Sequence, residues 1–140
     1  QKITYATKPT PSGVYRIFTM DRNGNNKQQI SFGDSGTDMH PDWSPDQRQI
    51  AFHSFRENMQ GIWRLNLSTN EIQQIAPSHK FAVRPLWSPD GRWVAFVSRP
   101  EDLDGPGDIF ITDLDETIVY KLTSTRSTWY RLISWKPNVN

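Results

Sequence analysis

The 140-residue chain contains no cysteine. Disulfides, thiolate catalysis and cysteine-ligated zinc are excluded, and the redox compartment is left undetermined. Histidine is scarce: the three in the chain, His40, His53 and His79, stand at no ligand spacing, so no metal site is expected. No run approaches the roughly 20 apolar residues of a membrane span, and no membrane insertion is expected. No charge of one sign dominates, with 16 basic against 15 acidic side chains. Such a balance leaves no electrostatic footprint for nucleic acid. No stretch keeps a 3.6-residue apolar period for three turns, so little or no helix is expected. The G-x-S-x-G and H-E-x-x-H motifs and the phosphate-cradling glycine loop are all missing, and with them any pointer to an enzyme. A Ser-His-Asp triad has no signature of its own here. No signal peptide is visible, and the sequence begins at Gln1 rather than Met, as a processed or excised piece of something longer would.

What the chain does have is aromatic residues and short apolar runs. Hydrophobic content is 35% and mean hydropathy is −0.70, low for a compact globule. Six tryptophans within a 12% aromatic fraction offset this, because each buried ring removes a large area from water. Apolar and β-branched runs of four to seven residues are bounded by Gly, Pro, Asn, Asp and Ser, the signature of strands.

These runs repeat. A tryptophan followed by a turn falls at Trp43, Trp87 and Trp135. An apolar run after the turn reads Ile3-Thr4-Tyr5, Ile50-Ala51-Phe52 and Val94-Ala95-Phe96. A third column begins at Ile17, Ile62 and Ile109, and a fourth at Gln28, Gln73 and Tyr120. All four columns agree on a unit of about 45 residues with four short strands, the period of a propeller blade. With the strands named A to D from the centre outward, the chain reads B-C-D, A-B-C-D, A-B-C-D and a final A. The expected fold is an all-β propeller segment of three blades, half of a six-bladed ring. The first blade spans about residues 1–38 and lacks its own strand A. The second spans 39–82, the third 83–128, and strand A of a further blade 129–137.

Turn chemistry agrees. Ser88-Pro89-Asp90-Gly91 places proline where φ near −65° is wanted and glycine where a left-handed residue closes the hairpin. Gln47 stands in that glycine's place in the middle blade, at an expected cost of about 1 kcal/mol. The B strands are apolar on both faces, as strands covered by sheets on either side are.

The carrying residues His40-Pro41-Asp42-Trp43-Ser44-Pro45-Asp46 with Ile50-Ala51-Phe52, and Arg84-Pro85-Leu86-Trp87-Ser88-Pro89-Asp90-Gly91 with Val94-Ala95-Phe96, resemble the WD40-like PD40 repeats of TolB-type β-propellers. The resemblance covers essentially the whole chain. It implies a propeller, usually of six blades, and a periplasmic or other extracytoplasmic setting with an envelope protein as partner. Three blades cannot close a ring. Either a second copy completes it as a homodimer, or the missing blades belong to a longer chain. The functional expectation is a non-catalytic protein-interaction module. The alternatives are an accessory domain of a larger peptidase or lyase, or a ligand sensor.

Strand A lines the channel of a propeller, so His40 and Arg84, each three residues before its turn tryptophan, are candidates to face the channel mouth, with Arg131 nearby. Such cations bind a carboxylate on a partner; more commonly they satisfy backbone carbonyls. Trp129 and Tyr130 are candidates for a stacking platform, or for covering the end of a core. Asp102 and Asp104, with Glu101 and Asp108, make an acidic loop over residues 101–108. Calcium would suit its oxygens, but the regular alternation and final Glu of an EF-hand loop are missing, so a solvated loop without cofactor is expected. His53 lies in an apolar column (Ala6, Val97) and is read as interblade packing with one hydrogen bond. His79 is read as a solvated surface group.

Overall fold

A computed structural model describes residues 2–33, 36–56, 59–99, 106–115, 118–124, 130 and 134–136. Among these residues there is no helix, and eleven strands form three antiparallel sheets. The first sheet orders β1 (Lys2–Thr7), β2 (Arg16–Asp21) and β3 (Gln28–Gln29). The second orders β4 (Asp38–Trp43), β5 (Gln49–Arg56), β6 (Met59–Asn66) and β7 (Ile72–Ile75). The third orders β8 (Ala82–Trp87), β9 (Val94–Ser98), β10 (Asp108–Thr112) and β11 (Val119–Lys121). The three sheets are the B-C-D, A-B-C-D and A-B-C-D sets read from the sequence.

The Trp-Ser-Pro-Asp turns are built alike. Gln47 N–H donates to the Ser44 carbonyl and Gly91 N–H to that of Ser88, both at 2.9 Å. The Ser44 hydroxyl donates to Asp46 Oδ1 at 2.6 Å and accepts Gln49 N–H at 2.9 Å. Ser88 does the same with Asp90 Oδ1 at 2.5 Å and Trp93 N–H at 3.0 Å. The serine hydroxyls, and then the Arg48 and Arg92 amides, hold both aspartate carboxyls below their ordinary range. Serine and aspartate are therefore spent on shaping the hairpin. Gln47 adopts φ 60° where Gly91 adopts φ 70°. A left-handed glutamine is strained by its Cβ, so Gln47→Gly is expected to raise stability by about 1 kcal/mol in urea unfolding.

Side chains alternate across each sheet and so define the junctions between blades. Ile17 of the first sheet meets Phe52, Trp63 and Leu65 of the second, with Ala6, Ile30, Leu67 and Ile72 around them. Ala51, Ile62, Ile75 and Ala76 of the second sheet meet Ala82, Trp87, Val94 and Phe96 of the third. This is why β5 and β9 are apolar on both faces. The first junction also holds a polar knot. Asp38 is fully buried and takes hydrogen bonds from the Ser31 and Ser54 hydroxyls and from Arg56 Nη2, each at 2.6 Å, with Arg16 Nη1 at 3.7 Å. In the second junction Gly61, Ala76 and Ala82 occupy the columns of Arg16, Ser31 and Asp38, so the same architecture is closed there by apolar contact.

Candidate functional site at the inner strands

The inner strands β4 and β8 share an irregularity. Pairing of β4 with β5 shifts register between Met39 and Asp42, and pairing of β8 with β9 shifts between Val83 and Leu86. The bulges hold His40-Pro41 and Arg84-Pro85. Proline has no N–H to give to a ladder, which suits a bulge on an inner edge. His40 stands at φ 52° and Arg84 at φ 57°, a left-handed conformation that bulky residues rarely adopt. Two equivalent side chains are thus re-aimed by equivalent backbone distortions. Strain of this kind, about 1–3 kcal/mol per residue, persists where the surroundings impose it and clusters at binding sites.

Around them lies a cationic and imidazole cluster. His40 is exposed, and its ring centroid is 5.9 Å from that of His53 on the neighbouring strand β5. Partial burial and then the Arg84 charge lower the His40 pKa. His53 is only 6% exposed. Burial, His40 and Arg99 push its pKa down to about 4, against an opposing pull from Asp38. Its Nε2 meets Gln60 Nε2 at 3.1 Å. With the Gln60 amide donating, the ring proton sits on Nδ1, which is buried and has no partner among the described residues. Two residues along β4, Asp42 Oδ2 accepts Trp87 N–H at 2.7 Å and so ties one inner strand to the next. Burial raises the Asp42 pKa despite this bond and the one from Trp43 N–H.

His40 and Arg84 are brought into one neighbourhood by matching bulges. Tyr130 is half-buried in the column of Asp38 and Ala82. Trp129, Arg131, Asp102 and Asp104 lie outside the described residues. Of the acidic loop's carboxylates Asp108 is described; it accepts the Thr123 hydroxyl at 3.0 Å and pairs with Lys121 at 2.6 Å. Among the described residues no group of three His, Cys, Asp or Glu is placed to hold a metal. His79 departs from its expected role as a solvated group. Its ring packs edge-on against Phe96 and Phe110, with centroids 5.4 and 4.6 Å apart, and burial lowers its pKa. The Asp38 knot was not singled out from the sequence, although Asp38 and Ser31 stand in columns that turn to alanine one blade later.

Sheets of four strands or fewer, stacked face to face around inner strands carrying the Trp-Ser-Pro-Asp turn, define a β-propeller. The chain matches the PD40 family, the TolB beta propeller domain, over residues 1–138, and it belongs to that family. A protein of Agrobacterium tumefaciens assigned as a TolB superimposes with a TM-score of 0.76 at 30% identity, over 87% of this chain and 45% of that one. TolB from Acinetobacter baumannii gives 0.72 at 22% identity, over 89% of this chain and 30% of that one, a likeness of fold. In sequence, the uncharacterized protein Atu1656 of Agrobacterium fabrum is 34% identical over 65 residues, 46% of this chain and 22% of that protein. The chain spans less than half the length of these relatives.

Proposed function

We propose that this chain is a non-catalytic protein-interaction module, and that its channel-side Arg84, with the neutral His40 ring beside it as a second hydrogen-bond donor, receives a carboxylate of a partner protein, in the cell envelope by analogy with TolB. We further propose that its arc of blades closes into a six-bladed ring with a second copy. The observation that carries the binding reading is the repeated left-handed φ at His40 and Arg84. A fold with no use for these side chains has little reason to hold both in the same costly conformation. Arginine forks onto carboxylates, and a histidine beside it contributes a second donor.

The test uses a short Asp/Glu-rich peptide titrated into the chain and followed by NMR of the His40 and His53 ring protons. Saturable shifts are expected, and Arg84→Glu is expected to weaken binding by at least about tenfold. His40→Gly separates function from support. It relaxes the backbone, so stability should hold or rise by about 1 kcal/mol while peptide binding falls. Equal binding of a Lys-rich peptide, or unchanged affinity in both variants, would exclude a carboxylate site here.

A further inference from the structure

His40 and Arg84 come from neighbouring inner strands, and the charged and titratable groups packed around them are mostly cations and imidazoles. Strand β5 sets His53 beside His40, 5.9 Å away between ring centroids. Strand β8 supplies Arg84, whose charge acts on His40, and Arg99, which follows β9, acts on His53. Strands β1 and β2 also pack against β4. The first carries Lys2 and Tyr5, and the second Arg16 and Asp21. Arg16 and, on β5, Arg56 are turned to Asp38, at 3.7 and 2.6 Å. Asp21 is spent on its own turn, where it accepts Asn23 N–H at 3.0 Å and Asn25 N–H at 2.9 Å. The two carboxylates of β4 itself are engaged as well. Asp38 sits in the buried knot, and Asp42 takes the Trp87 and Trp43 amides.

In this setting a partner's carboxylate changes the balance at one ring in particular. Before it arrives, partial burial and the Arg84 charge hold His40 neutral near pH 7. The carboxylate offsets the guanidinium charge and places a negative charge beside the ring, and both effects favour the imidazolium. His40 is exposed, so a proton reaches it from water. His53 is only 6% exposed, and its Nδ1 has no acceptor among the described residues, so a second ring proton is poorly accommodated there. Arg84 keeps its charge at every working pH and supplies the constant part of the attraction.

We propose that the site beside Arg84 takes up its carboxylate together with one proton, carried by His40, so that an acidic partner is held more tightly as the medium is acidified. This rests on the carboxylate reading of the site and adds the proton as a third component. Linkage fixes the sign. If the bound carboxylate raises the proton affinity of His40 by a given factor, protonation of His40 raises the affinity for the carboxylate by the same factor. At high pH the complex forms on a neutral ring. At intermediate pH a proton enters as the complex forms, and once His40 is protonated in the free chain the gain is complete. Asp and Glu side chains of the ligand ionise near pH 4, so they stay charged while His40 titrates.

The test titrates the Asp/Glu-rich peptide into the chain at several pH values between about 7.5 and about 5.5, and follows the His40 ring protons by NMR with and without peptide. Affinity should rise about tenfold across that range, and saturating peptide should move the His40 titration up by about one pH unit. His40→Gln keeps a donor but cannot take the proton, so its affinity should not change with pH. Asp42→Asn and His53→Val each remove another titratable group near the site, and both should keep the wild-type slope. No saturable binding at any pH sinks the carboxylate site and its proton together. Saturable binding with a flat profile in the wild-type chain sinks the proton alone and leaves the carboxylate site standing. A slope that survives in His40→Gln and is lost in Asp42→Asn or His53→Val overturns the assignment to His40 and gives the proton to that other group.

Discussion

Replacing Asp38 with alanine is expected to lower the unfolding free energy by about 3–5 kcal/mol, a large share of the 5–15 kcal/mol typical of a domain. The carboxylate has no exposed surface, and both of its oxygens are engaged. Its removal leaves Arg16 and Arg56, whose side chains are only 7% and 13% exposed, facing each other without the anion between them. Arg16 keeps the carbonyls of Gly33 and Gly36 at 2.6 and 2.8 Å, and Arg56 keeps that of Phe32 at 3.0 Å. These bonds hold the guanidinium groups in place, so they cannot swing out to water without giving them up. Breaking a buried pair from one side is costly for this reason, even where replacing the whole set is not. The second junction is the internal comparison, since it closes with Gly61, Ala76 and Ala82 in the same columns. Ser31→Ala alone should cost about 1–2 kcal/mol, and still about 1 kcal/mol once Asp38 is gone, because the hydroxyl also accepts the buried Ile17 N–H at 2.9 Å. Urea unfolding should show a lower midpoint with unchanged slope. A loss below about 1 kcal/mol in Asp38→Ala would mean that the arginines are re-solvated and that the knot orders the junction without stabilising it.

The fold was legible because it is repeated. Four columns recurring together fixed strand order, blade phase and the turn at Trp43 and Trp87. The pleat then placed Ile50 and Phe52 on one face and Ala51 and His53 on the other. His53 was legible for the same reason: one polar residue in the column of Ala6 and Val97 has to be buried. The bulges were not. Nothing in His40-Pro41 or Arg84-Pro85 announces a left-handed residue, because a residue before proline ordinarily prefers extended backbone. Only the register shift between Met39 and Asp42 forces it. The Asp38 knot was missed because its members come from both sides of a junction: Arg16 and Ser31 from the first blade, Ser54 and Arg56 from the second. A column shows what a residue replaces and not what it meets. His79 was misread because a loop position next to Lys80 looks solvated, whereas the loop folds the ring onto Phe96 and Phe110. Function was least legible, since the repeated residues are the ones that make blades, and any binding chemistry lies where the repeats differ.

Acidification is expected to destabilise the chain between about pH 6.5 and pH 4, and His53→Val is expected to remove most of that loss. The ordinary imidazole value of 6.5 applies to the unfolded chain, and the folded value is about 4. Above pH 6.5 the ring is neutral in both states and contributes no dependence. Below it the unfolded chain takes up a proton that the folded chain refuses, so stability falls with pH and levels off once pH has passed the folded value. A shift of this size corresponds to about 3 kcal/mol at most. The refusal has a structural cause. Protonation would put a second N–H on Nε2, which faces the Gln60 amide, while the proton on Nδ1 has no acceptor among the described residues. The groups around the ring mostly add to the effect. His40 and Arg99 oppose a further positive charge, and Asp38 alone favours it. His40 and His79 are also depressed and act with the same sign, so a shallow slope should survive in the variant. Valine is the proper replacement because the next blade carries Val97 in this column, 2% exposed and packed without a polar partner. Urea midpoints measured from pH 7.5 down to about pH 4.5 should converge for the two proteins at neutral pH after a constant offset, then diverge as the wild-type chain loses stability. Parallel curves over that range would show that His53 takes up its proton in the folded state, and that its pocket admits water or an anion.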